Sequence, residues 1–123
     1  MSLLSAFNQH FSDFVADIKN VFPDDADVAA LGPFIDGMRK TNPRLLLLTF
    51  HEHVVVPYGH QILDGDIEFF LEKDYTKDVG DATYVLEKIN RFKKPISTLP
   101  QSEMDKVVKY MQNLVRLAQN YMA

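Results

Sequence analysis

Three histidines and a glutamate lie close together in the middle of the chain, at His51, Glu52, His53 and His60. Imidazole and carboxylate groups are common ligands of zinc and iron, so the cluster is a candidate site for a metal-dependent enzyme or a metal sensor. Residues 51 and 53 are about 200° apart on a helix, whereas they would share one face of a strand. Because we favour a helix here, we predict a structural role for these residues and no bound metal, with the metal-dependent reading as the alternative.

An acidic segment follows, and its start, Asp64-Gly65-Asp66-Ile67-Glu68, has the alternating acids of a calcium-binding loop. The sixth position of that loop is Phe69 where glycine is required, and the twelfth is Tyr75 where glutamate is required. Segment 64–81 holds seven acids against two lysines. We therefore predict helix caps and a solvated face. A regulatory adaptor that binds a host or viral protein through this segment is a further alternative.

A basic cluster, Lys88, Arg91, Lys93 and Lys94, ends a predicted helix, where cations complement the helix macrodipole. The chain has no glycine-rich phosphate loop, no nucleophile elbow, no HExxH motif and no cysteine. We therefore predict a protein that is not an enzyme, with no catalytic residues and no cofactor.

The amino-acid composition limits which classes of partner the protein can bind. The net charge is −4 and the isoelectric point is near 5.4, which disfavours nucleic acid because phosphate binding relies on clustered lysine and arginine. The longest apolar run is 45–48, far too short to span a membrane. The absence of cysteine disfavours a small secreted disulfide scaffold, so we expect one intracellular domain, 1–123, that binds other proteins.

Apolar residues at spacings of three and four predict a first helix that Pro23 ends. A second helix would be capped by Asp24 or Asp25, and kinked or split at Gly32-Pro33. The members of the first apolar stripe are Leu4, Phe7, Phe11, Phe14, Ile18 and Val21.

The middle of the chain is harder to assign, because residues 45–56 are rich in short apolar runs that suit a helix or buried strands. We favour a helix, because Asn42 can cap it with Pro43 at its first position, and we expect Pro57 and Gly59 to bend or end it.

One or two short helices should follow up to residue 71, then a loop over 72–80. We expect Asp81 to cap the next helix, Pro95 and Pro100 to bracket a connector, and a last helix over about 103–121. Ser102 and Asp105 have the spacing of a capping box for that helix. The predicted fold class is all-α, a compact bundle of about five to seven helices.

The last predicted helix has an unusually wide apolar face. It covers an arc of about 180°, whereas the first helix has about 120°, the usual width of a core-facing stripe. We predict that the surplus edge of this helix contacts a partner; its residues are Tyr110, Leu114, Leu117 and Tyr121. The alternative is a helix through the middle of the bundle that neighbours contact on two sides.

Scattered positions across most of the chain resemble small helical proteins that large double-stranded DNA viruses of algae and protists encode. The residues concerned are Asn42-Pro43, Val54-Val55-Val56-Pro57-Tyr58, Ile62, Asp64, Asp66, Phe69-Phe70 and Asp74-Tyr75. The resemblance implies a non-enzymatic virion or infection-associated protein, such as a minor capsid or internal scaffold component. Its partners would be capsid proteins or copies of itself, and its location intracellular or within the virion.

Overall fold

The computed structural model describes residues 2–73 and 83–123, with side chains in the second range described from Val85 onward. These residues form helices and no strand, which confirms the predicted all-α class. The helices are α1 (Leu3–Val21), α2 (Ala26–Thr41), α3 (Leu45–Phe50), a π-helical turn (His51–Val55), α4 (Val56–Leu63), α5 (Glu68–Glu72), α6 (Thr83–Ile96) and α7 (Gln101–Met122). Since α3, the π turn and α4 follow without a break, we treat residues 45–63 as one central helix.

The first two helices begin with side-chain caps. The Ser2 hydroxyl accepts a hydrogen bond from the Ser5 N–H at 3.1 Å, and the Asp25 carboxylate accepts one from the Val28 N–H at 3.0 Å. Pro33 lies inside α2 and does not split it, contrary to one form of our prediction. Buried apolar residues on both sides of Pro33, such as Leu31 and Ile35, hold the two halves of α2 on the same core.

The central helix also departs from the prediction at both of its ends. Asn42 does not cap it: the Asn42 N–H donates to the Met38 carbonyl at 2.7 Å and so ends α2, while Arg44 precedes Leu45. The strand alternative is wrong, because residues 45–55 are helical.

Pro57 does not end the central helix, which continues to Leu63. In the π turn the Val56 N–H donates to the His51 carbonyl, five residues back, so the hydrogen-bond register changes just before Pro57. Proline has no backbone N–H to donate. Because Pro57 lies in the first turn of α4, directly after the change of register, the missing N–H costs little there. Gly59 lies where α4 packs closely against Val115 and Gln119 of α7.

The last two helices also differ from the prediction. Pro95 lies within the last turn of α6, so the connector is shorter than predicted. Pro100 occupies the capping position of α7 and no side chain caps that helix, which makes the capping box of Ser102 and Asp105 wrong. The short helix α5 extends to Glu72, while the rest of the predicted loop, residues 74–80, and the Asp81 cap lie outside the described residues.

The core centres on phenylalanine rings from α1, α3 and α6. Their centroids are 5.0 to 6.4 Å apart, in tilted and edge-to-face arrangements that suit the ring quadrupoles. The space enclosed among the rings and Met111 has a volume of only about 10 Å³. This part of the core is therefore filled by side chains and leaves no room for an organic ligand.

Candidate interaction surface

We call the predicted partner-contact residues the α7 edge: Tyr110, Leu114, Leu117 and Tyr121. Two of the four contact other residues of the same chain. Leu114 is fully buried, so the prediction that it contacts a partner is wrong for this folded chain. Tyr110 is half-buried: its ring stacks on Phe14 with centroids 4.9 Å apart, and its hydroxyl donates a hydrogen bond to Asp17. Leu117 and Tyr121 are half-buried against the core and keep part of their surface open.

The wide apolar arc of α7 has a structural explanation. This helix packs against α1 on one side, and against the central helix on another. The Gln112 side-chain amide donates to the Leu63 carbonyl at 3.1 Å and fixes the contact with the end of α4. A helix contacted by two neighbours must be apolar over more than one stripe, which matches our alternative reading.

The hydrogen bond between Tyr110 and Asp17 predicts a pH dependence of stability. Burial, with the hydrogen bond to Asp17 and the negative charges of Asp17 and Asp13, raises the pKa of Tyr110 from 10.0 to about 12. The folded state therefore favours the protonated phenol, and this stabilisation is complete below pH 10 and lost as the pH rises toward 12. Because the hydroxyl is partly exposed and solvent screens its contact with Asp17, we expect the parent to lose only about 1 kcal/mol more than Tyr110→Phe over this interval.

Urea unfolding at several pH values measures this difference, and the Tyr110→Phe variant subtracts the titration of the lysines, which both proteins share. Parallel stability curves for the two proteins would show that the phenol does not ionise differently in the folded state.

A different surface, which the sequence did not reveal, runs along the outside of the central helix. Six exposed positions on this side lie four residues apart, and we call this set the outer stripe. The outer stripe consists of Arg44, Leu48, Glu52, Val56, His60 and Asp64. Two of its members are apolar: Leu48 is 40% exposed and Val56 is 68% exposed.

The π turn makes this four-residue spacing possible. In a pure α-helix, 20 residues advance by five turns and about 200°, so Arg44 and Asp64 would point to nearly opposite sides. The extra residue of the π turn takes back about 100° of that drift. The six side chains therefore stay on one side of the helix, while the other side faces the core through residues such as Phe50, Val54 and Ile62.

An aromatic pair joins the central helix to α5. The Tyr58 and Phe69 rings are nearly parallel, with an interplanar angle of 6° and centroids 6.3 Å apart. The Lys73 ammonium lies 5.9 Å from the Tyr58 centroid. Leu48, Val56 and Phe69 are three of the six large apolar side chains that the described part of the chain exposes, and Val56, at 68%, is the most exposed of the six.

The histidine cluster lies in and after the π turn. His51 and His53 are half-buried, and Glu52 and His60 are exposed. The His53 Nε2 atom is 3.9 Å from a Glu52 carboxylate oxygen. In the part of the chain that the structure describes, no three histidine, aspartate or glutamate residues come together in a group that could hold a metal ion.

The charged segments also differ from their predicted roles. Lys93 is buried, and its ammonium donates hydrogen bonds to the Leu71 and Lys73 carbonyls at the end of α5. It therefore satisfies the C-terminal carbonyls of a different helix from its own. In the acidic segment, the Asp66 carboxylate accepts from the Glu68 N–H at 3.0 Å, but the capping position of α5 is Ile67, which makes no side-chain cap.

None of the helices within the described ranges is both long enough and apolar enough to cross a membrane. Comparison of the chain with models of protein families, with curated proteins and with solved structures finds no match.

Proposed function

We propose that this chain is a non-enzymatic structural or protein–protein interaction module that binds through the outer stripe. The observation that carries the proposal is the exposure of Leu48 and Val56 on one side of a helix whose other side is buried. Single exposed apolar residues are common, but apolar residues aligned on one helix face are typical of helix-mediated recognition.

The stripe is held by a rigid support. Leu47, Phe50, Val54 and Ile62 anchor the inner side of the central helix in the core, each with at most 1% of its surface exposed. A partner would therefore meet a helix that is already formed, and little conformational entropy would be lost on binding.

Site-specific photo-crosslinking tests this proposal. A photoreactive residue at position 56 is expected to form crosslinks with a defined protein, whereas one at position 21 is not. Val21 is a matched control because it is apolar, helical and 42% exposed, and lies on α1 rather than on the outer stripe. Equal crosslinking from both positions, or none from position 56, would contradict an interface at the outer stripe.

A double variant provides an independent test of the same surface. Leu48→Ser with Val56→Ser should leave the melting temperature within a few degrees of the parent, because neither side chain belongs to the buried core, and should abolish the crosslinks formed by neighbouring positions. The corresponding control is Leu3→Ser with Val21→Ser, which removes similar exposed apolar area from α1.

We further propose that the protein is a minor capsid or internal component of a large DNA virus, with the virion as its location. The resemblance described above supports this part of the proposal. Particles purified from infected cells should then contain the chain at a fixed copy number. Its presence only outside the particles would refute the virion assignment without affecting the interaction surface.

The alternative of a metal-dependent enzyme or sensor has one observation in its favour. His51, Glu52 and His53 lie in the π turn, and π turns are frequent at functional sites. Elemental analysis of the purified protein discriminates between the readings. Stoichiometric zinc or iron, lost in His51→Ala or His53→Ala, would support the metal site over a structural cluster.

A further inference from the structure

We propose that the partner of the outer stripe is a second copy of this chain, docked antiparallel about a two-fold axis so that Arg44 of each copy meets Asp64 of the other. This inference rests on the proposed function and names its partner. The observations that carry it are the charges at the two ends of the central helix and the spacing of the outer stripe.

The charges at the two ends have the sign that a lone helix disfavours. Arg44 is the residue that precedes the first turn of α3, where the helix macrodipole favours an anion, and Asp64 follows the last turn of α4, where it favours a cation. Both side chains are exposed, and among the described residues neither has an ion-pair or hydrogen-bond partner. An antiparallel second copy supplies the opposite charge at both ends.

Neighbouring residues extend this polarity. Lys40, also exposed, lies near Arg44 in the chain, whereas exposed Asp66 and Glu68 follow Asp64. The central helix therefore has a basic end and an acidic end. Parallel pairing would bring like charges together, while antiparallel pairing matches each end with its opposite.

The spacing of the stripe suits a two-fold axis midway between Glu52 and Val56. About that axis, Arg44 faces Asp64 of the second copy, Leu48 faces His60, and Glu52 faces Val56. The two Val56 side chains then lie about 6 Å apart along the helix direction, one on each side of the axis. In such an isologous interface every contact occurs twice, so the Arg44 to Asp64 pair counts double.

The size of the interface predicts a weak dimer. A central helix of 19 residues is about 28 Å long, and one helix pair buries less than the roughly 1,200 Å² of a stable standard interface. The dissociation constant should therefore lie in the micromolar range, and salt should weaken the dimer because the end charges are exposed.

Sedimentation velocity of the full chain tests this inference at low salt, over concentrations from about 5 to 500 µM. The mass should rise from the 14.1 kDa of the monomer toward twice that value. Arg44→Glu and Asp64→Lys should each weaken the dimer about tenfold or more, because each reversal replaces two attractive pairs by two repulsive ones. The variant that carries both reversals should have a dissociation constant within about threefold of the parent's, because the swapped charges attract again.

Controls separate the pairing from net charge and from folding. Arg116→Glu and Asp36→Lys make the same charge changes at exposed sites on α7 and α2. Each should leave the dissociation constant of the dimer within about twofold of the parent's. Arg44→Glu and Asp64→Lys both give the helix ends the charge that the macrodipole favours, so melting temperatures should not fall.

A parent that keeps the monomer mass over the whole range would overturn the inference, and so would a double variant that stays as weak as the single reversals. Either result leaves the crosslinking test at position 56 to decide the proposed function, because a different protein could still bind the outer stripe.

Discussion

Phe11→Ala is expected to lower the free energy of unfolding by about 3 to 5 kcal/mol, through lost burial and the cavity left behind. Phe11 is 6% exposed, and its ring contacts four other phenylalanines with centroids 6.2 to 6.4 Å away. These neighbours come from α1, α3 and α6, so a smaller side chain would weaken the junction of three helices. The ring partners of Phe11 are Phe7, Phe14, Phe50 and Phe92.

Urea unfolding of both proteins measures this loss. Val21→Ala in the same helix is the matched control, and it should cost no more than about 0.5 kcal/mol because Val21 is 42% exposed and lies outside the buried core. A midpoint for Phe11→Ala within error of the parent would mean that the α1 stripe does not form the core.

The double variant Tyr110→Ser with Leu117→Ser is expected to lose about 2 to 4 kcal/mol of stability, which lowers the melting temperature by roughly 10 °C. The Tyr110 ring stacks on Phe14, and it also lies 5.0 Å from the His10 ring between centroids. Removing it uncovers part of α1 and leaves Asp17 without its phenolic donor. Leu117 adds a half-buried contact to the core.

Differential scanning calorimetry distinguishes this result from the one that a partner surface would give. If the α7 edge served only a partner, the isolated chain would keep its melting temperature and lose association alone. The Leu48→Ser and Val56→Ser double variant gives the matched comparison, because it also removes two apolar side chains but should leave the melting temperature nearly unchanged.

The sequence by itself predicted an all-α chain and most of the inward face of α1; Val21, which the predicted stripe included, is 42% exposed. Phe7, Phe11 and Phe14 recur at helical spacing, and the pattern is a direct consequence of 3.6 residues per turn. The Asp25 cap and the end of α1 before Pro23 were equally predictable, because these signals act within one turn of the chain.

Prolines inside helices were not predictable in the same way. Pro33, Pro57 and Pro95 all lie within helices that continue past them. Local propensity disfavours each of these positions, but burial of apolar residues on both sides outweighs the cost of one missing hydrogen bond. At Pro57 the π turn lowers that cost further, and nothing in the local residue pattern specifies where a helix takes in an extra residue.

Only the tertiary structure decided which apolar residues remain on the surface. The periodicity of α7 shows a wide apolar arc but not the number of neighbours, and the packing of α1 and the central helix against it buries Leu114 and engages Tyr110. Leu48 and Val56 belong to a segment that the sequence predicts to be buried, yet the π turn keeps both on the outer side of the central helix. The reason is physical: periodicity reports the phase of each helix about its own axis, whereas exposure depends on how many other helices surround that axis.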